Sequence, residues 1–392
     1  MKTDIFIKNN LSEIISFRKE LHANPEVSGK EIKTAERVTE WLKDCKPDRL
    51  ITNIGGEGIA TIFGEDSRKS LLFRAELDAL PINDNIEADY RSNAKGVGHK
   101  CGHDGHMANL AGLALWLKEN RPKDGNVMLL FQPAEETGEG AAKMLSDPKL
   151  KQLGSPSVIA MHNLPGFEKG DVILKDDVFT FASTGMIIQL EGATSHAAHP
   201  EGGISPSLAV SEIIQLLENP TSSTGHSEDK VRITVIHAKI GEQAFGTSPG
   251  EAVVMATIRS AETEIMDAAT KEIESNVKEI VTKFKLSLNI SYTERFETTR
   301  NDAEMADVVR KAAKDCALNI QEIEKPFPWS EDFGRFTGVF PGVLLGMGAG
   351  VEYPQLHHPK YDYPDELIPV ALRFYIQIMN NYFGLSEKES TN

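Results

Sequence analysis

Cysteine is scarce in this sequence: Cys45, Cys101 and Cys316 are the only three in 392 residues, and they stand far apart. An odd number at such spacing is poor material for a disulfide framework, so a reducing cytoplasm is the expected setting. Basic residues are also in deficit. Forty-two Lys and Arg face 58 Asp and Glu, a formal net charge of -16, and an acidic field of that size argues against a surface for nucleic-acid phosphates. No apolar run approaches the roughly 18 residues of a membrane span, and the opening MKTDIFIKNN is too polar for a signal peptide. Internal repeats and low-complexity tracts are absent. What remains is an ordinary balance of 40% apolar and 26% charged residues, which describes a globular protein whose expected partners are small molecules.

The length exceeds that at which one core usually stops growing, so two domains, or one with a large insertion, are expected. Amphipathic segments at 11–22 and 31–44 precede short apolar runs at 58–64, 70–77, 126–133 and 157–163, which read as buried strands. Between the second and third of these, HMANLAGLALWLKEN (106–120) has the helical spacing of a crossover helix. From about residue 183 the order becomes strand, helix, two strands, long helix and strand, the pattern of a four-stranded sheet carrying two helices on one face. Helix and strand resume near 302, so the smaller unit is inserted in the larger. The expected fold class is α/β, a central mostly parallel sheet flanked by helices, with boundaries at 1–182, 183–296 and 297–392.

In an open α/β sheet, functional residues gather beyond the carboxyl ends of strands. Asp78 follows SLLFRAEL, Glu135 and Glu136 follow NVMLLFQP, and His162 closes SVIAMH. Cys101 and His103 lie in GHKCGHDGHM, in a glycine-bordered turn before a helix expected to start near Met107, and His357 lies in the loop after GVLLGMG. One residue between Cys101 and His103 is too few for a structural zinc knuckle. Taken with the other strand ends, however, thiolate, imidazole and carboxylate converge on one cleft, as a centre for zinc, manganese, cobalt or nickel requires. Adjacent carboxylates can divide the work, one holding metal and the other taking a proton from water. The residues alone leave open which does which. Asp78 can orient a ligand or the base by accepting a hydrogen bond.

These segments resemble the co-catalytic metallopeptidase superfamily of aminoacylases and carboxypeptidases, in particular its hippurate hydrolase, N-acyl-amino-acid and auxin-conjugate amidohydrolase branch. The resemblance rests on LHANPEVSGKEIKTA (21–35), RAELDALPI (74–82), GHKCGHDGHMANLAG (98–112), FQPAEETGEGA (131–141), AMHNLPG (160–166), GATSHAAHP (192–200), SEDFGRF (330–336) and LHHPKYDYPDELIP (356–369). It implies two divalent ions per subunit, zinc or manganese with cobalt and nickel as further options. Cys101 would bridge them and His103, Glu136, His162 and His357 would complete the set. It also implies Glu135 as general base and acid in cleaving the amide of an N-acyl amino acid. N-acetyl-diaminopimelate deacetylase and dipeptidase are the enzyme alternatives, and an inactive metal-binding dimer is the non-enzymatic one.

The same resemblance makes the inserted unit a lid and homodimer surface, with His196 reaching the active site to stabilise an oxyanion, as a donor worth several kcal/mol can. Arg259 is left to pair with a substrate carboxylate. His357 is preferred over His358 by its place before a variable residue and proline. His99 and His106 are not expected as ligands, and Asp104 is expected to sit at a helix N-terminus favoured by its dipole. Two departures stand out: Glu76 where the family has Asp, and Gly246 where it has Asn, an amide that glycine cannot replace.

Overall fold

The computed structural model describes residues 2–64, 69–220 and 230–385. The chain divides into two compact units, one of Met1–Phe179, Thr299–Lys325 and Asp332–Asn392, the other of Thr180–Thr298 and Pro326–Glu331.

The first unit is built on an eight-stranded sheet. Its strands are β1 (Arg49–Ile54), β2 (Gly58–Gly64), β3 (Ser70–Glu76), β4 (Asn126–Gln132), β5 (Ser157–Pro165), β6 (Val172–Leu174), β15 (Ile320–Glu322) and β16 (Gly342–Gly350), in the order β1-β2-β4-β3-β5-β16-β6-β15. The middle strands β4, β3, β5 and β16 run parallel, and antiparallel pairs occur at β1–β2, β2–β4 and β16–β6. Every residue of β3 and β4 is buried, which explains why they read as continuous apolar runs without alternation. Helices α1 (Lys2–Ala23), α2 (Ile32–Asp44) and α3 (His103–Glu119) supply side chains to one core with this sheet. The short α4 (Gly140–Ser146) and α5 (Pro148–Lys151) follow β4.

α3 is the crossover between the adjacent parallel strands β3 and β4, and 14 of its 17 residues are buried. A Cβ on Gly105 would stand 2.2 Å from the Tyr363 ring, so this helix can seat against that tyrosine only without a side chain there. The helix begins at His103, four residues earlier than its apolar spacing suggests. Gly102, at φ 93°, makes the left-handed turn that starts it. Asp104 does lie in the first turn, but as a buried partner of Arg18 and His22 at 3.2 and 2.8 Å, a stronger constraint than the helix dipole.

The second unit has an antiparallel sheet of β8 (Ala182–Glu191), β10 (Val231–Ile240), β12 (Glu251–Ser260) and β13 (Ser287–Phe296), in the order β10-β12-β8-β13. α6 (Ser207–Glu218) and α7 (Thr263–Lys283) share its core. Alternate residues of β12 are buried, Val254, Ala256 and Ile258 among them, and α7 buries Met266, Ala269, Ile273, Val277 and Val281 at helical spacing. A two-residue ribbon pairs β9 (Ser195–His196) with β11 (Thr247–Ser248), and β7 (Asp177–Thr180) pairs with β14 (Thr299–Asn301). Further α-helices of the first unit are α8 (Ala303–Asp315), α9 (Gly334–Thr337) and α10 (Leu367–Phe383). The α/β class with an inserted sheet-and-helix unit is therefore observed. Pro326–Glu331 also joins the second unit, a crossing that hydrophobic patterning does not announce. Among the described residues, no helix is long and apolar enough to cross a membrane.

Candidate metal centre

β3 and β4 run in register with Glu76 opposite Gln132, so Asp78 and the pair Glu135 and Glu136 emerge side by side just past the strand ends. His162 lies near the end of β5, and His357 in the loop after β16. Cys101 immediately precedes the Gly102 turn, and His103 opens α3.

These side chains meet. Cys101 Sγ is 3.5 Å from His162 Nε2. His103 Nε2 lies 3.8 Å from both Glu135 Oε2 and Glu136 Oε1, and His357 Nε2 lies 3.7 Å from Glu136 Oε2. Three overlapping sets, Cys101–His103–His162, Cys101–Glu136–His357 and His103–Glu135–Glu136, each hold their ligand atoms within 4.8 Å of one another. Cys101, His103, Glu135 and His162 are buried, whereas the His357 side chain is 51% exposed. His358 is exposed, and its Nδ1 accepts from the Lys360 N–H at 3.1 Å.

The electrostatics are those of ionisable groups buried against one another. Burial, followed by the carboxylates of Glu136, Glu135 and Glu76, pushes the Cys101 thiol well above its ordinary value. Burial also raises Glu136 to about 7, with Asp78 and Glu76 adding to it against the pull of His103. For His103, burial works against the charged ring, but Asp78, Glu76 and Glu136 outweigh it and raise the ring to about 10. His162 is pushed down to about 3 by burial and by His106 and His103. Among the described residues, buried His103 Nε2 and Glu136 Oε1 have no hydrogen-bond partner. Orphaned donor atoms of this kind are costly unless something takes them up. Thiolate, imidazole and carboxylate oxygen suit a borderline divalent ion, whose charge would reverse the Cys101 and Glu136 shifts. The donor set thus fits a binuclear centre.

Residues outside the cluster hold it in place. Asp78 Oδ2 accepts from Ser28 Oγ at 2.6 Å and from the Glu136 N–H at 2.9 Å. His103 Nδ1 donates to the Asp78 carbonyl at 2.8 Å and lies 3.4 Å from its carboxylate. Ala134, between Pro133 and Glu135, has φ 50°, an uncommon conformation for a residue with a Cβ. Glu31 Oε1 stabilises that turn by accepting the Ala134 N–H at 2.8 Å. Behind it, Arg74 donates to Glu76, to Gln132 Oε1 at 2.8 Å and to Asp332 Oδ1 at 2.7 Å. Asp332 also accepts from the Ala141 N–H at 2.9 Å, and its own N–H lies 3.4 Å from Glu135 Oε1. This is the work of the aspartate in SEDFGRF, and Glu76 at the departing position is part of the same buried network. Sequence reasoning missed Glu31, Arg74 and Gln132. The buried-strand pattern around Arg74 was the available signal, since a buried arginine demands partners.

The sequence has a known relation that spans both units. The profile of peptidase family M20/M25/M40 matches residues 72–381. The chain belongs to this family. Among relatives by sequence, the chain is 31% identical over 368 residues to an N-acetyl-L-cysteine deacetylase of Bacillus subtilis, covering 92% of this chain and 86% of the relative. It is 28% identical to an N-acetyldiaminopimelate deacetylase of Priestia megaterium, covering 95% and 98%. A crystal structure assigned as an aminohydrolase of methicillin-resistant Staphylococcus aureus superimposes with TM-score 0.85 at 26% identity, covering 96% and 98%. A Bacillus subtilis dinuclear metal-binding peptidase of family M20 shares the fold, with TM-score 0.79 at 24% identity, covering 96% and 99%. The protein is an M20 metal-dependent amidohydrolase acting on small amide substrates.

Three residues singled out from the sequence lie in the second unit. His196, on β9, is exposed, and its Nδ1 accepts from the Ala198 N–H at 3.0 Å. Gly246 accepts from the Ala197 N–H at 3.0 Å on the same ribbon and has open space where a Cβ would stand. Arg259, on β12, donates to Ser330 Oγ at 3.1 Å and to the Pro328 carbonyl at 3.3 Å, and burial lowers its pKa.

Proposed function

We propose that this M20 hydrolase removes the acetyl group from an N-acetylated amino acid. The observation that carries this reading is the similarity, over nine-tenths of the chain, to a relative named as an N-acetyl-L-cysteine deacetylase, joined by relatives named as N-acetyldiaminopimelate deacetylases. It narrows the hippurate hydrolase and aminoacylase expectation to a small acyl group.

In this reading Cys101, His103, Glu136, His162 and His357 hold two divalent ions, zinc or manganese. Bound there, such ions would acidify water and polarise the amide carbonyl. Glu135, buried and 3.8 Å from His103, takes the proton from water and delivers it to the leaving amine. Asp78 fixes the His103 ring and, through the Glu136 N–H, the turn that carries both glutamates. His196 and Arg259 belong to the substrate side, as oxyanion donor and carboxylate partner, and Gly246 leaves room beside His196. The second unit serves as lid and homodimer surface. Its edge strand β10 leaves Ile236 62% exposed, which a partner copy would cover. A centre dependent on one thiolate suits a reducing cytoplasm.

The test is a substrate panel assayed after chelation and reloading with zinc, manganese, cobalt or nickel singly. N-acetylcysteine and N-acetyldiaminopimelate should exceed hippurate and long-chain acyl amino acids in kcat/KM by about tenfold or more, the scale on which a pocket separates acyl groups. The opposite order overturns the deacetylase reading.

A further inference from the structure

One buried side chain touches both halves of the ligand set. Asn163 follows His162 on β5 and is 2% exposed. Its Nδ2 donates to the Cys101 carbonyl at 3.1 Å and to the Tyr361 hydroxyl at 2.5 Å. Its Oδ1 lies 2.5 Å from His106 Nε2. Its backbone carbonyl accepts from His162 Nδ1 at 3.0 Å.

The donor and acceptor chemistry permits one amide orientation. The Cys101 carbonyl can only accept, so the NH2 of Asn163 faces it and Oδ1 faces His106. His106 then donates through Nε2, while its Nδ1 is 2.6 Å from Glu76 Oε2. Burial works against the Glu76 charge, and Arg74 and His106 outweigh it, holding that carboxyl well below the usual range. The amide is thus clamped from behind by a chain that runs back to Arg74 in the middle of β3. The Asn163 N–H lies 3.4 Å from the same His106 nitrogen, too long to compete with the 2.5 Å contact.

The Gly102 turn shows how closely the amide is fitted. A Cβ on Gly102 would stand 2.4 Å from Asn163 Oδ1, so glycine is required there by space as well as by its φ of 93°. On the other arm, the hydrogen bond from His162 Nδ1 to the Asn163 carbonyl makes Nε2 the lone-pair nitrogen of that ring. Nε2 is the atom that faces Cys101 Sγ at 3.5 Å.

We infer that Asn163 is the positioning residue of the centre, setting Cys101 through its side-chain amide and the His162 tautomer through its backbone carbonyl. This rests on the ligand roles proposed above for Cys101 and His162. A partner behind a ligand in this way commonly sets metal affinity by about 10–100-fold.

The test uses the full chain, stripped with chelator and reloaded with cobalt, whose bond to thiolate gives a near-ultraviolet charge-transfer band. Asn163→Asp keeps the shape and removes the two donated hydrogen bonds. Tyr361→Phe removes one anchor of the amide and leaves the Cys101 contact. Asn163→Asp should bind cobalt about 10–100-fold more weakly in chelator competition, with a weakened or displaced charge-transfer band. Tyr361→Phe should show the same change of band with a smaller loss of affinity, about threefold, and decides the matter alone if metal-free Asn163→Asp does not melt cooperatively. Wild-type affinity and an unchanged band in the folded variants overturn the inference. Cys101→Ser separates the two levels: a band that survives this substitution refutes the ligand role of Cys101 rather than the role of Asn163.

Discussion

The backbone N–H of His357 donates to the carbonyl of Lys100 at 2.7 Å. The residue immediately before Cys101 thus anchors the loop that delivers a histidine from the far end of the chain. His357 pays for this position with φ 65°, a left-handed conformation that costs a residue with a Cβ about 1–2 kcal/mol. Stability and metal binding should therefore part company here. His357→Gly should raise the stability of the metal-free protein by about 1 kcal/mol in denaturant unfolding, while metal analysis finds a reduced content per subunit. A loss of stability with full metal content would refute both the strain and the ligand role.

Glu135 lies 3.8 Å from His103 Nε2, and the proposed ligand set is complete without it. Glu135→Gln should lower kcat by about 10²–10⁴-fold, the usual worth of a general base, with metal content and unfolding midpoint close to wild type. Activity within a few-fold of wild type would show that another group moves the proton.

Metal uptake should expel protons. In the ion-free site the Cys101 thiol is held protonated, His103 keeps its second proton up to about 10, and Glu136 titrates at about 7. Ligands must be deprotonated to bind. Calorimetry at pH 7.5 in buffers of different ionisation enthalpy should register more than one proton released per subunit, and affinity should fall as pH drops through 7, where Glu136 takes up a proton. Zero proton release would contradict the donor set.

A separate buried group makes stability depend on pH. His22 Nδ1 and Nε2 lie 2.8 and 3.1 Å from carboxylate oxygens of Asp104 and Asp84. Burial opposes its charge, and Asp104 with Asp84 outweighs that and raises it to about 9. A raised histidine stabilises fully below its unfolded value near 6.5 and loses that contribution as pH climbs through 9. The contribution is on the order of 3 kcal/mol. Metal-free wild type should lose stability between pH 6.5 and 9 more steeply than His22→Gln, whose absolute stability at pH 6.5 should be lower. Parallel curves would rule this out.

Much of the architecture was legible in the sequence because it follows from local periodicity. The continuous apolar runs of β3 and β4 are what parallel burial demands, and the alternation in β12 reports one covered face. Cys101, His103, Glu136, His162 and His357 could be proposed together because strand ends and the family resemblance both point to them, and their side chains fall in overlapping clusters. Partners distant in sequence were not legible. Arg74 meets Asp332 across 258 residues, and Glu31 supports the Ala134 turn across 103. No spacing rule connects such pairs. The early start of α3 was hidden because Gly102 looks like any loop glycine until its φ is known, and His106, not expected as a ligand, links Glu76 with Asn163.

The register of Glu76 opposite Gln132 reaches beyond the fold. Neighbouring strands stand about 4.8 Å apart, so the sheet acts as a ruler that sets how far Asp78 stands from the Glu135 and Glu136 pair beyond the strand ends. A spacing held by hydrogen bonds between main chains survives substitution in the loops and in the second unit, because no side chain there takes part in the pairing of β3 with β4.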